Sequence, residues 1–402
     1  MKAISNLFTE IKGSTKHKTF KTYRDKRKIV IEKEKVTLPY VRSTAQGEQR
    51  NLFKEAVEDW KALTKEEKEE YNEQAKPYRL TGYQFFIKQY LLNPPLKYIW
   101  YKVTINNTGN SNTLTDYTVK ITISNDNQFF TDCNGAKEHI RLTDADKSTE
   151  LKYWIEAWDS NNKNATIWVK VPQIPASSNK IIYIKIDNEL TTDASNGEDT
   201  FLFFDDASTN KSNSYIFRDI HKSGQTGSLS YDANNKRYAI SWSSADNNAL
   251  VINSNFNDAE IEIRFRTPSN ISSNYQFGAI IRLSSSGLYW IRANAATSPD
   301  TLQIYKGPTQ PSQSETQLVT TNYSGNVIAT NTNYTFKARA YGSNLYCWTS
   351  LENKEVSATD TAYTSGEWGI FCGYDISSIY FNFIKVRKYT SPDPTTSYQK
   401  ET

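Results

Sequence analysis

The 402-residue sequence has few of the residues that carry metal and redox chemistry. It contains three histidines, and none of them is spaced with another as a metal-ligand pair. Cys133, Cys347 and Cys372 are far apart and form no C-x-x-C motif, which argues against a zinc site or a disulfide framework. Two alternatives stay open for the cysteines: all three are buried thiols, or Cys347 and Cys372 form a single disulfide bridge. We therefore predict neither a metal centre nor a histidine-based catalytic triad.

Other familiar signatures are missing as well. No G-x-S-x-G, Walker A or G-x-G-x-x-G motif occurs, which argues against nucleotide chemistry. No apolar run approaches the roughly 18 residues of a membrane helix, and the N-terminus lacks the apolar stretch of a classical secretory signal. We expect no cofactor, and a structural calcium ion is the one alternative that stays open. Its ligands would be the loop residues Asp205-Asp206 or Asp246-Asn247-Asn248.

Charge is distributed unevenly along the chain. Residues 1–98 contain 21 Lys and Arg against 13 Asp and Glu, whereas the remainder contains 27 against 31. Residues 1–45 are predicted to be a basic arm with little apolar periodicity. Such an arm could contact nucleic-acid phosphates, anchor the chain on an acidic partner, or simply solvate the terminus. The candidate residues for the first two roles are Lys21, Arg24, Lys26, Arg27 and Lys28.

Residues 46–95 have the periodicity of helices. Phe53, Val57, Trp60 and Leu63 form one apolar stripe. Thr64 and Glu67 are spaced as a capping box that starts a second helix, which Pro77 ends. Thr81 caps a third helix, whose inward residues are predicted to be Tyr83, Phe86, Ile87 and Tyr90. The run FKEAVEDWKALTKEEKEEYNEQA resembles the second half of an HMG box, which implies a compact helical unit for packing, anchoring or DNA binding.

After Lys97 the pattern alternates with period two, which predicts β-strands. Residues 96–208 contain the blocks WYKVTINN, LTDYTVKITI, ELKYWIEAW and ATIWVKVPQIPASSNKIIYIKI. Their order and spacing resemble a β-sandwich domain of unknown function found in archaeal and bacterial surface proteins and in viral structural proteins. The resemblance implies an architecture but no activity.

Residues 209–391 contain many short strands separated by turns. The order of AEIEIRFRT, NYTFKARAYGSNLYCWTS, GEWGIFCGYD and SSIYFNFIKVRKY resembles the concanavalin A-like/laminin G-like jelly roll. That resemblance implies a fold that often binds glycans or proteins. Residues 392–402 are predicted to be a disordered tail. The predicted fold class is thus multidomain and mainly β, with a small three-helix unit followed by two antiparallel β-sandwiches.

One strand of the third unit carries a row of charge. Asp258, Glu260 and Glu262 alternate with apolar residues and so share one face. Jelly-roll glycosidases of the laminarinase type carry Glu-x-Asp-x-Glu, whereas this chain has Asp-x-Glu-x-Glu. Because Arg264 and Arg266 continue the same face, we interpret the row as a solvated face of alternating charge, with catalysis as the alternative.

Aromatic residues are the best candidates for recognition, because flat rings suit both sugar faces and protein contacts. Since neighbours on a strand face opposite sides, about half of these residues must be core. The candidates for glycan or protein binding are Tyr289, Trp290, Tyr346, Trp348, Trp368 and Tyr374.

The sequence as a whole predicts a non-enzymatic structural and binding protein. The specific hypothesis is a virion surface or tail-fibre-like protein, or a cell-surface adhesin, of an archaeon or its virus. Its expected location is the virion or the extracellular surface. Its expected partners are a host glycan or envelope protein, other virion or surface proteins at the N-terminal region, and a second copy of the chain as an open possibility. The alternatives are an intracellular nucleic-acid-binding protein and a jelly-roll glycoside hydrolase.

Overall fold

The computed structural model describes residues 12–15, 18–22, 29–32, 44–92, 98–220, 227–242, 248–308, 315–373 and 379–401. The chain forms two compact units, Met1–Leu96 and Lys97–Thr402. No helix in the described ranges is long and apolar enough to span a bilayer.

The first unit begins with a small antiparallel sheet in the predicted basic arm. Its strands are β1 (Lys12–Thr15), β2 (Lys18–Thr22) and β3 (Ile29–Glu32), in the order β1-β2-β3. Part of the arm therefore has regular backbone structure, which the sequence did not predict. Lys21 lies in β2, whereas Arg24, Lys26, Arg27 and Lys28 lie outside the described residues.

Three helices follow, as predicted: α1 (Thr44–Ala62), α2 (Lys65–Ala75) and α3 (Gly82–Leu92). The predicted capping box is present, because the Glu67 amide donates to Thr64 Oγ1 at 3.2 Å and the Thr64 amide donates to Glu67 Oε2 at 2.7 Å. Thr81 likewise accepts from the Gln84 amide at 3.2 Å.

The helical core is aromatic. Trp60 and Tyr71 both pack on Phe86, with ring centroids 5.5 and 5.0 Å away. Two residues of the predicted apolar stripes are exposed, Phe53 at 46% and Tyr83 at 37%, although the Tyr83 ring centroid lies 5.7 Å from that of Trp60. They lie at the margins of the apolar stripes, where helical periodicity does not fix burial.

The second unit begins with a β-sandwich. Its elements are β4 (Ile99–Asn106), β5 (Leu114–Ile123), α4 (Asn127–Asp132), β6 (Ile140–Asp144), β7 (Lys152–Asp159), β8 (Asn164–Ile174) and β9 (Asn179–Ile186). One sheet has the order β5-β8-β7, and the other contains β4-β9-β6. The inward residues of both sheets form one apolar core.

A larger sandwich follows in the chain. Its elements are α5 (Gly197–Thr200), β10 (Phe203–Asp205), β11 (Tyr215–Asp219), β12 (Gly227–Asp232), β13 (Arg237–Trp242), β14 (Asn248–Phe256), β15 (Ala259–Arg266), β16 (Gln276–Ser284), β17 (Gly287–Asn294), β18 (Thr301–Gly307), β19 (Thr316–Asn322), β20 (Asn333–Tyr341), β21 (Asn344–Thr349), β22 (Lys354–Thr359), β23 (Gly366–Gly373) and β24 (Ile379–Lys388). An eight-stranded sheet has the order β12-β13-β24-β15-β20-β21-β22, with β10 paired to β24, and a seven-stranded sheet has the order β11-β14-β23-β16-β17-β18-β19. The prediction of a mainly β chain with antiparallel sandwiches is confirmed.

The chain then returns to the first sandwich. Strand β25 (Thr395–Lys400) pairs antiparallel with β4 and completes the sheet β25-β4-β9-β6. The prediction of a disordered tail over 392–402 is therefore wrong. Only Tyr398 of this segment packs against the apolar core, so the alternation was too weak to identify a strand. The larger sandwich is an insertion between β9 and β25.

The three cysteines are free and buried. Cys347 and Cys372 lie in the core of the larger sandwich and Cys133 lies in that of the smaller one. Burial raises the pKa of Cys133 to about 11 and that of Cys372 to about 12. These side chains act as small apolar groups, and the Cys347–Cys372 bridge that the sequence left open does not form.

Candidate functional site: an aromatic face on the larger sandwich

The structure separates the six predicted recognition residues. Tyr289 and Trp368 are fully buried core residues and Trp290 is 3% exposed, so the prediction that these three residues belong to an exposed recognition surface is wrong. Tyr289 and Trp368 lie in the apolar core of the larger sandwich, which strand alternation alone does not reveal. Tyr374 lies outside the described residues.

Tyr346 and Trp348 have the placement that a recognition site requires. Both are half-buried and point outward from β21, because the buried residues Leu345 and Cys347 take the inward positions of the strand. The neighbouring strands β20 and β22 present outward side chains beside them. We call this surface the aromatic face; its residues are Lys337, Arg339, Tyr341, Asn344, Tyr346, Trp348, Glu355, Ser357 and Thr359.

Register arranges the aromatic face in rows that cross the three strands. Tyr346 lies opposite Arg339 on one side and Ser357 on the other. In the next row, Trp348 lies between Lys337 and Glu355. Each row therefore presents a cation, a ring and a hydrogen-bonding group in sequence.

Contacts within the rows fix the rings. The Arg339 guanidinium lies 5.0 Å from the Tyr346 ring centroid and 4.9 Å from that of Tyr389, and Lys337 Nζ lies 5.2 Å from that of Trp348. These are cation–π distances. Tyr346, Tyr389 and Arg339 also line an open groove of about 590 Å³, which is within the size range of ligand sites.

The tyrosine hydroxyl in this groove is held as a neutral donor. Tyr346 Oη donates to Glu355 Oε2 at 2.7 Å. Burial, together with this hydrogen bond, raises the pKa of Tyr346. The ring therefore stays uncharged in ordinary buffers and keeps its apolar face for contact.

Sequence reasoning missed the cations of the aromatic face. The signal was the hairpin around Gly342-Ser343, since a two-residue turn fixes cross-strand register. Tyr341 pairs with Asn344 across that turn, which places Arg339 opposite Tyr346 and Lys337 opposite Trp348. Tyr389 could not be found in this way, because it is distant in sequence.

The middle of the charged row on β15 is buried, which corrects the prediction of a solvated face for Glu260 and Glu262, whereas Asp258 is exposed. Glu260 and Glu262 are each 3% exposed. Glu260 accepts from Arg387 Nε at 2.8 Å and also pairs with Arg339. Glu262 lies 3.2 Å from Lys385 Nζ. Although burial opposes ionisation, the Arg387 and Arg339 guanidiniums hold the pKa of Glu260 well below its usual range.

What covers this row is the smaller sandwich. Glu156 on β7 lies 2.5 Å from Arg264 Nη2 and 3.2 Å from Lys385 Nζ. Glu156 also accepts from Trp168 Nε1 at 2.7 Å, and Lys385 Nζ lies 4.4 Å from the Trp168 ring centroid. The outward charges of β15 and β24 are therefore neutralised across the contact between the two sandwiches.

Asp205, one of the predicted calcium ligands, has partners within the protein. It accepts from Tyr215 Oη at 2.7 Å and from the Ala207 amide at 2.8 Å. Asp206 accepts from the Ser208 amide, while Asp246 and Asn247 lie outside the described residues. Among the described residues, no group of three or more His, Cys, Asp or Glu side chains could hold a metal ion.

The fold and this surface define a class: a β-sandwich protein with an open aromatic face. Residues 136–218 match a family described as a domain of unknown function, DUF2341, in agreement with the predicted resemblance of that region. No curated protein sequence matches the chain. The HMG-box resemblance and the archaeal or viral source stay predictions.

Solved structures similar to the chain include proteins named as carbohydrate-binding, lectin-like or glycoside hydrolase. The carbohydrate-binding module CBM66 from Bacillus subtilis is 13% identical, with a TM-score of 0.33 over 41% of this chain and 96% of that chain. A legume lectin-like domain from Entamoeba histolytica is 9% identical, with a TM-score of 0.33 over 44% and 91%. The GH43 protein BlXynB from Bacillus licheniformis is 12% identical, with a TM-score of 0.35 over 62% and 53%.

Proposed function

We propose that the protein is a non-enzymatic glycan-binding protein and that the aromatic face is its binding site. The observation that carries this proposal is the pair of adjacent rows across β20, β21 and β22, in which Tyr346 and Trp348 stand half-buried between cations and hydrogen-bonding groups.

The chemistry of the rows matches that of a sugar ring. A pyranose has an apolar face of C–H groups that packs on an aromatic ring, and a rim of hydroxyls that needs donors and acceptors. Trp348 and Tyr346 supply the rings. Asn344, Ser357 and Glu355 are exposed beside them and supply the polar partners.

We propose binding without catalysis because the carboxylates of β15 form ion pairs with Arg and Lys side chains. A general acid must hold a proton near the working pH, whereas Glu260 is kept ionised between two guanidiniums. A retaining glycosidase also needs two carboxyl groups flanking the substrate. Glu260 and Glu262 instead face the contact with the smaller sandwich.

The test is a glycan array probed with the full chain, followed by calorimetry on the best ligand. Trp348→Ala should weaken binding about tenfold, because loss of one stacked ring costs about 1.4 kcal/mol. Trp100→Ala is the matched control, since Trp100 is a half-buried tryptophan on β4 of the other sandwich. The Trp100→Ala chain should bind the glycan with the same affinity as the wild type.

Two results would contradict the proposal. One is a wild-type chain that binds nothing on a broad array, and the other is equal affinity of the Trp348→Ala and wild-type chains. Tyr346→Phe separates the ring from its hydroxyl: if stacking dominates, this variant should retain affinity within about threefold of the wild type.

We propose that the wider role of the protein is attachment at a virion or cell surface. This proposal rests on the proposed glycan-binding site. The fluorescently labelled full chain should stain cells that display the glycan found on the array, and free glycan should compete. Staining that Trp348→Ala leaves unchanged would contradict attachment through the aromatic face.

A further inference from the structure

A second polar cluster lies on the other sheet of the larger sandwich. On β16, β17 and β18 the outward positions include Gln276, Arg292, Asn294 and Gln303, and each is at most 6% exposed. Their neighbours Phe277, Ile291 and Leu302 face the apolar core. The cluster is thus separate from the aromatic face, which belongs to the eight-stranded sheet.

Arg292 is the charged member of this cluster. Its Nε donates to Gln303 Oε1 at 2.9 Å, and its guanidinium carbon lies 4.3 Å from the Tyr305 ring centroid. Its Nη1 is buried and has no hydrogen-bond acceptor. Within the described part of the chain, no carboxylate forms an ion pair with Arg292.

The other buried arginines of this unit are fully engaged. Arg387 pairs with Glu260 and with Asp393, and Arg282 donates to Asp258 at 2.9 Å. Arg141 donates to three backbone carbonyl groups. An uncompensated buried guanidinium is strongly unfavourable, because its charge loses solvation without gaining a partner. Unlike these three arginines, Arg292 therefore keeps one buried guanidinium nitrogen without an acceptor.

Two neighbours point to a ligand rather than to a packing defect. Trp290 Nε1 is a second buried donor without an acceptor, and Gln276 Oε1 is a buried acceptor without a donor. Both lie on the same outward face as Arg292. The position opposite Arg292 on β16 is Gly278, which adds no side chain beside the guanidinium.

We propose that this face, centred on Arg292, binds the carboxylate group of an acidic sugar. A guanidinium edge is matched to a carboxylate by charge and by geometry. The cluster holds a single cation, which suits a monovalent carboxylate better than a phosphate dianion. The amides of Gln276, Asn294 and Gln303 are suited to sugar hydroxyls. This site lies on a different sheet from the aromatic face and does not depend on the proposed function.

Calorimetry on the full chain tests the proposal with oligogalacturonate, its neutral galactose counterpart and inorganic phosphate. Oligogalacturonate should bind at least tenfold more tightly than either of the others. The Arg292→Gln chain should bind oligogalacturonate at least tenfold more weakly than the wild type. The Trp348→Ala chain should bind it with unchanged affinity. The Trp348→Ala result separates this site from the aromatic face. Absence of oligogalacturonate binding, or equal binding of phosphate, would overturn the proposal.

Gln303→Glu provides a second readout that does not depend on the sugar chosen. A carboxylate at this position would lie beside Arg292 Nε and supply the missing counter-charge. The variant should therefore have a higher melting temperature than the wild type and should no longer bind oligogalacturonate. A lower melting temperature, as expected for a new charge buried without an available cation, would show that Arg292 is already compensated.

Discussion

Glu260 shows how one residue can be ionised and buried at once. Its carboxylate lies between the guanidiniums of Arg387 and Arg339, one on each neighbouring strand. Removing one partner of a buried ion pair leaves the remaining charge uncompensated, so such residues are sensitive to substitution.

Glu260→Gln should lower the free energy of unfolding by about 3 kcal/mol, because Arg339 loses its carboxylate. Urea denaturation followed by circular dichroism measures this change. Glu198→Gln is the control, since Glu198 pairs with Lys211 at 2.7 Å while its side chain is 66% exposed. The control should change stability by less than about 0.5 kcal/mol. Equal effects of the two substitutions would contradict the role of burial.

The same residue predicts a pH dependence. The pKa of Glu260 is lowered from the ordinary value of 4.5 in the folded chain, so the unfolded chain takes up this proton at higher pH than the folded chain does. Stabilisation by Glu260 is therefore complete above about pH 5 and is lost as the pH falls. The stability difference between wild type and Glu260→Gln should be constant near neutrality and should narrow below about pH 4.5. A difference that grows with acidification would contradict this sign.

At the scale of elements, β25 is held in place by its neighbours, because none of its residues is fully buried. It covers the edge of β4, and Tyr398 Oη donates to Asp126 Oδ2 at 2.9 Å. An uncovered edge strand invites pairing with other chains. The helices, in contrast, carry their own start signals, as the Thr64–Glu67 capping box shows.

Deleting residues 394–402 should lower the melting temperature of the smaller sandwich and cause association in size-exclusion chromatography, because β4 becomes an exposed edge. Tyr398→Phe is the mild control, since it removes one hydrogen bond and should cost about 1 kcal/mol. A truncated chain that stays monomeric with an unchanged melting temperature would show that β25 is dispensable.

Sequence patterns predicted the helices and strands better than they predicted which parts of the chain pack against each other. Alternation identified many strands of the two sandwiches and placed neighbouring residues of a strand on opposite faces, but it missed β25. It could not distinguish Trp348, which stays half-buried, from Trp368, which is fully buried. Period-two alternation assigns a side chain to a face, whereas burial depends on whether another layer covers that face.

At the scale of the molecule, the two sandwiches are joined by connectivity and by contact. The chain leaves the smaller sandwich after β9, forms the larger one and returns as β25. The contact contains Trp168, 6% exposed, and Trp154, whose ring stacks on Phe383 at 5.7 Å. We expect residues 97–402 to unfold as one cooperative unit.

Native-state hydrogen exchange tests this cooperativity. Amides of β8 and β24 should open with a common free energy in the wild type and with different free energies in Trp168→Ala, because loss of the ring uncouples the sandwiches. Trp100→Ala should retain the common value. Different opening free energies in the wild type would contradict the coupling.

The sequence by itself determined the local features of this protein: the helix starts, the strand periodicity and the mainly β class. These depend on backbone propensities and on residues close together in the chain. Only the tertiary structure decided that Glu260 and Glu262 are buried, that the last strand completes the first sandwich and that no carboxylate among the described residues pairs with Arg292. Each of these depends on which distant surface covers a given face, and that is set by packing between segments far apart in sequence.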